Sequence, residues 1–165
     1  MNQDYILDLF YSLNGDMSKI NAAIEAKTKR IGARKISTFE LFLKSRISRN
    51  STTLKMSNME ISEDEAIYLS LYPALSELEV LDLRKNFLGD AGFMAIAQSS
   101  ILKNLKELDL RNNQITRAGM EHFSKEATMT HLERLDMRSN KLGKRWEEKL
   151  KESGRFPSLK MIRTV

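Results

Sequence analysis

The sequence predicts an α/β fold, a right-handed solenoid with short parallel strands on its concave face and helices outside, preceded by an α-helical N-terminal cap. Three observations carry this reading. A strand-like segment recurs at a fixed spacing of 27 residues without insertion, the signature of a stacked repeat. Within it leucines alternate and an Asn follows them. Between these segments apolar residues recur at helical spacing around a Gly, and a parallel strand joined to the next by a crossover helix takes one hand. Residues 1–50 then form the cap, and residues 51–165 form about 4.5 units of 27 residues.

In chain order, Tyr5, Ile6, Leu9, Phe10 and Leu13 recur at helical spacing and stop at Asn14-Gly15. A second helix is expected from about Asp16, with Ile20, Ala23, Ile24 and Lys27 along one face. Ser37-Thr38-Phe39-Glu40 has the capping-box pattern and is expected to open a third, whose apolar stripe is Phe39, Phe42, Leu43 and Ile47. A solenoid needs such a cap, since its first repeat otherwise exposes an apolar flank. The net charge of +5 is unevenly spread: Lys plus Arg against Asp plus Glu is 9 to 5 in residues 1–50 and 18 to 17 in residues 51–165. Lys27 to Lys35 alone holds five basic residues in nine. Such a run is most simply a solvated helix end; its functional alternative is contact with the phosphates of a nucleic acid or with an acidic partner.

The strands come next. Leu78-Glu79-Val80-Leu81-Asp82-Leu83-Arg84-Lys85-Asn86-Phe87-Leu88 recurs from Leu105 to Ile115 and from Leu132 to Leu142. One period earlier, Leu54, Met56 and Ile61 stand at the positions of Leu81, Leu83 and Leu88, with Met59 in place of the Asn; one period later, Leu159 and Ile162 repeat Leu132 and Leu135. Alternating leucines in a short strand point one way, into the core. Strands are therefore expected at about 53–57, 80–84, 107–111, 134–138 and 161–164. Asn86, Asn113 and Asn140 are expected to form an inward column, satisfying backbone groups that no ladder reaches.

The second half of each unit is helical. Leu88 to Ala97 aligns with Ile115 to Ser124, each with a Gly four residues after the aliphatic residue. Gly92 and Gly119 allow the helix start to lie close to the neighbouring unit. Trp146 stands at this position in the charged stretch Leu142 to Leu150, which is expected to end the array.

With these motifs in view, residues 51–165 resemble leucine-rich repeats, and the helical half, N-x-[LI]-x-x-x-G-x-x-x-[IF], is similar to the ribonuclease-inhibitor-like class. The resemblance implies a non-enzymatic scaffold or adaptor that binds another protein on its concave strand face. It also implies an alternative, regulation of a small GTPase, because some proteins of this class activate Ran-type GTPases.

Catalytic chemistry finds little purchase in the sequence. There is no Cys, so thiolate metal sites and a cysteine nucleophile are excluded. The two histidines, His122 in a repeat helix and His131 just before a strand, are not placed to converge with a Ser or a carboxylate. The glycines mark turns and helix starts and form no phosphate-cradling loop. No enzyme activity, cofactor or metal is expected. No apolar run approaches the ~20 residues of a membrane span, and Met1 to Phe10 carries acids where a signal peptide is basic. A cytoplasmic location is expected, or export without a cleaved signal.

The informative surface is the outward side of the strands. By phase, Asp82, Asp109 and Asp136 form one column, Arg84, Arg111 and Arg138 a second, and Thr53, Val80, Glu107, Arg134 and Met161 a third. With adjacent strands ~4.8 Å apart, each column of like charge repels itself. Side by side the two neutralise one another as an ion-pair lattice. Alternatively, the longer arginines project past the aspartates and offer their donor forks to a partner. The last strand, with Lys160 and Arg163 on it, is an edge of the sheet, so a monomer or a weak dimer is expected.

Overall fold

The computed structural model of the chain describes residues 16, 18–20, 36–140 and 142–165. Among the described residues the elements run α1 (Ile36–Ile47), β1 (Thr53–Lys55), α2 (Glu63–Ser70), β2 (Val80–Asp82), α3 (Gly89–Ala97), β3 (Glu107–Asp109), α4 (Arg117–Glu126), β4 (Arg134–Asp136), α5 (Arg145–Glu152) and β5 (Met161–Arg163). The strands form one parallel sheet in sequence order. This is the α/β repeat architecture that the 27-residue phase predicts.

Register follows the phase without a slip. Leu54, Leu81, Leu108, Leu135 and Ile162 are partners in turn across the sheet, and all are buried. Each such side chain stabilises the fold by about 1.5–3 kcal/mol through removal from water. The strands are shorter than expected, because Lys85, Asn112 and Ser139 take left-handed φ of 58°, 54° and 62° and turn the chain away. The hydrogen-bond ladder nevertheless runs on to that turn: Leu83 N donates to Asp109 O at 2.9 Å and Lys85 N to Arg111 O at 2.7 Å.

The asparagine column lies where expected. Asn140 Nδ2 donates to Met137 O in its own unit at 2.9 Å and to Leu110 O in the preceding one at 2.8 Å. Its Oδ1 accepts from Asn113 N and Ile115 N at 2.8 and 3.2 Å. Asn86 does the same toward Met56 O, Met59 N and Ile61 N. Each amide therefore staples its unit to the one before it, and Asn86 alone serves Met56 O, Met59 N and Ile61 N of the first unit, where Met59 brings no amide of its own.

Helix starts are set by local chemistry. Ser62 and Glu65 close a reciprocal capping box on α2, and Thr116 Oγ1 accepts from Ala118 N at 3.1 Å on α4. The capping box expected at Ser37 is not a cap: α1 already includes Ile36, so Ser37 sits inside the helix. Phe39 and Leu43 of α1 are buried, with Phe42 and Ile47 packed at the margin of the core. Of the two earlier cap helices only Asp16 and the helical Ser18–Ile20 are described; the rest lies outside the described residues.

The helical layer shares an aromatic stack. Phe93 and Phe123 stack with centroids 4.9 Å apart, and Phe123 and Phe156 at 4.8 Å. Trp146 is buried in this core with Lys149 Nζ 4.5 Å over its ring. A Cβ on Gly119 would overlap the Asp90 carboxylate, which accepts from Thr116 N and Oγ1 at 2.8 and 2.6 Å. Gly119→Ala is therefore expected to destabilise by about 1–3 kcal/mol. In an Asp90→Ala background the carboxylate overlap is removed and only a Cβ contact at 3.3 Å remains, so helix propensity brings the same change to about neutral, within about 1 kcal/mol. Urea unfolding of the four proteins measures this, and an unchanged penalty in the double variant would exclude Asp90 as its source.

Candidate protein-binding face

Because strand side chains alternate, the leucine side of β1–β5 is buried by the helices and the opposite side is open. Zero-stagger register lays same-phase residues in rows across it: Thr53, Val80, Glu107, Arg134 and Met161 in one, and Lys55, Asp82, Asp109, Asp136 and Arg163 in the next. Arg84, Arg111 and Arg138 follow two residues after the aspartates, on the stretch between the strands and the left-handed turns.

The aspartates hold the arginines. In each unit Asp Oδ1 accepts the backbone N–H of the arginine two residues on, at 3.2 Å. Arg111 Nε and Nη2 grip Asp109 at 2.9 and 2.6 Å, Arg138 grips Asp136 at 3.0 and 2.7 Å, and Arg84 Nε lies 3.3 Å from Asp82. Arg111 also reaches Asp136 at 3.7 Å. Hydrogen bonding to Asp109 strengthens the hold of the Arg111 guanidinium on its proton, and burial only partly opposes it. Burial disfavours the Asp136 anion, but the hydrogen bonds from Arg138 win and keep its carboxyl below the usual carboxylate range. One edge of each fork is thus engaged within the chain, while among the described residues the Nη1 atoms of Arg84, Arg111 and Arg138 have no partner.

A further row was missed by the reading of the sequence. Glu79, Lys106, Glu133 and Lys160 lie one residue before the third column and alternate in sign at the 27-residue spacing. Lys106 Nζ lies 2.7 Å from Glu79 and Lys160 Nζ 2.7 Å from Glu133. The hydrogen bond from Lys160 holds the Glu133 carboxyl below its ordinary value. Arg134 Nη1 likewise meets Glu107 at 2.8 Å. Its signal in the sequence is the alternation of sign at the 27-residue spacing, which a repeat of identical residues does not contain. The face is therefore a mosaic of internally paired charge with Val80 and Met161 as apolar points.

The histidines stand apart from one another. His122 Nδ1 lies 3.7 Å from Glu126 on α4, and His131 Nδ1 is 3.1 Å from Lys103 O ahead of β4. Among the described residues no three His, Asp or Glu converge as metal ligands, and no helix is long and apolar enough to cross a membrane. A family model described as leucine rich repeats, in two copies, matches residues 76–125 and again residues 103–144. No curated protein matches the chain.

Proposed function

Since this chain is a leucine-rich-repeat protein, we propose that it is a non-enzymatic scaffold that holds another protein against the open face of β1–β5. Repeats of this kind generally mediate protein–protein interaction, and the helical half with Gly92 and Gly119 supports the ribonuclease-inhibitor-like class. The observation that carries the reading is the unbroken register, which sets Val80, Glu107, Arg134 and their neighbours in continuous, half-buried to exposed rows on the open side of the sheet. An interface needs such an area of fixed side chains, and a few of them carry most of the affinity. The Arg84, Arg111 and Arg138 column, with Asp82, Asp109 and Asp136 fixing its orientation, is its electrostatic centre: the aspartates spend one edge of each guanidinium and leave the other for a partner's carboxylates.

The test is affinity capture from the native cell, identification of the partner by mass spectrometry, and titration against variants. Exchanging Glu107 and Arg134, as Glu107→Arg with Arg134→Glu, keeps their internal ion pair while inverting the charges that a partner meets. It is expected to weaken binding by about 1–3 kcal/mol with the thermal melt unchanged. His122→Glu on the helical side is expected to change nothing. Affinity that survives the exchange and the triple Arg84, Arg111, Arg138→Ala variant, yet falls with His122→Glu, would move the interface to the helices.

A further inference from the structure

The helix starts carry a pattern of charge that the open face does not. At one 27-residue phase stand Glu63, Asp90, Arg117 and Lys144, in the first turns of α2, α3 and α4 and at the N-cap of α5. Their signs run minus, minus, plus, plus along the array. The stretches that carry them adjoin: a Cβ on Gly89 would lie 3.4 Å from Glu63 Oε2, Asp90 accepts from Thr116 N at 2.8 Å, and Arg117 lines one groove with Ser139 and Asn140 of the next unit.

The fold does not pair these charges as it pairs those of the sheet. Among the described residues Glu63, Arg117 and Lys144 make no ion pair, and Asp90, bonded to the neutral Thr116, keeps its charge. Like signs stand on neighbouring units, where they repel. Arg117 and Lys144 also occupy helix starts, where the dipole favours anions over cations. A single copy gains nothing from this order.

An exposed ring stands on the same edge. Glu60, Phe87 and Gln114 share a phase three residues before the charged row. Glu60 and Gln114 take left-handed backbone with φ of 55° and 62°, whereas Phe87 does not. Its N–H donates to Ile61 O at 2.9 Å, and the left-handed turn shifts to Gly89, φ 59°. The ring is 53% exposed and lies in the acidic half, between the units of Glu63 and Arg117. In the basic half, the loop of Asn112, Gln114, Thr116 and Arg117 lines a groove of about 720 Å³.

We infer that this edge is the contact surface of a two-fold dimer of the chain. A second copy, turned about an axis that passes between the second and third units, meets the row in reverse order, as a self-complementary interface requires. Glu63 then faces Lys144 of the second copy and Asp90 faces its Arg117, and each pair occurs twice. Phe87 of each copy faces the Gln114 loop of the other and enters its groove. Both rings lie near the axis, the central part of an interface where aromatic anchors carry most of the affinity. Lys85, exposed on the acidic half, faces the neutral Asn112. The inference goes beyond the binding of a partner on β1–β5, since the contact lies at the helix starts and leaves the sheet face open on both copies.

The experiment is sedimentation equilibrium of the full chain over a concentration series up to about 1 mM. Wild type is expected to pass from monomer to dimer, at higher concentration as salt is raised. Phe87→Ser, Glu63→Lys and Lys144→Glu are each expected to weaken the dimer at least about tenfold, with the melt of dilute Phe87→Ser unchanged. Mixing separates a matched contact from a damaged fold. Glu63→Lys sets cation against cation twice in its own dimer, and Lys144→Glu sets anion against anion, yet the equimolar mixture restores opposite signs at every pair. That mixture is expected to dimerise about as well as wild type. A wild type that stays monomeric throughout, a dimer indifferent to Phe87→Ser, or a mixture that associates no better than either variant alone overturns the inference.

Discussion

Asn140→Ala is expected to cost about 3–5 kcal/mol of folding stability, among the largest effects of any single substitution in this chain. The side chain satisfies Leu110 O, Met137 O, Asn113 N and Ile115 N, all by hydrogen bonds of 3.2 Å or less. Ala supplies neither donor nor acceptor, and water has no free path to groups this deeply buried. Each abandoned group then loses its solvation without replacement. Asn113→Ala removes the same atoms at the same phase but only the donated half of the network, to Leu83 O and Leu110 O. It is expected to cost about 2 kcal/mol less. Urea unfolding of both variants at one temperature makes the comparison, and equal losses would mean that Asn113 Oδ1 has a partner in solution.

Phe123→Ala is expected to lose about 3–5 kcal/mol, from the transfer of the ring and the cavity it leaves. Phe123 is fully buried, stacked on Phe93 from the preceding unit and on Phe156 ahead of β5. It therefore joins three successive stretches of chain, and in a repeat protein stability resides largely in such nearest-neighbour interfaces. Beyond the loss of stability, amide exchange in α5 and β5 is expected to quicken more than in β2, because the C-terminal units lose the ring that ties them to α3. Phe87→Ala is the control: its ring is exposed, and a change within about 0.5 kcal/mol is expected. Uniform quickening of exchange along the chain would mean that the stack does not divide the array.

The order and register of the strands were legible in the sequence because one physical rule covers them. A unit of constant length returns the chain to the same place, so Leu81, Leu108 and Leu135 had to stack once they shared a phase. The amide column was legible for the same reason. Less legible were the boundaries. The strands stop early because Lys85, Asn112 and Ser139 turn left-handed, and side-chain patterning carries little information on φ. Ser37 has the composition of a cap but lies inside α1, since a four-residue motif does not reveal where the preceding backbone becomes helical.

The outward columns show the same division. Phase placed Asp82, Asp109 and Asp136 beside Arg84, Arg111 and Arg138. That each aspartate also takes the backbone N–H of its arginine, and so fixes which guanidinium edge is spent, depends on the bend after the strand.

Sequence alone thus determined what the 27-residue period controls: the fold, the order and register of the strands, the buried leucines, the amide column and the rows on the open face. Tertiary structure decided what depends on distances and dihedral angles between units. It set which unit each Asn serves, the pairing of Glu79, Lys106, Glu133 and Lys160, and the departure at Phe87. Periodicity constrains the direction in which a side chain leaves the backbone, whereas a hydrogen bond or an ion pair needs a partner within about 3–4 Å. Phe87 stands where Glu60 and Gln114 stand and still takes another turn, because its N–H found Ile61 O.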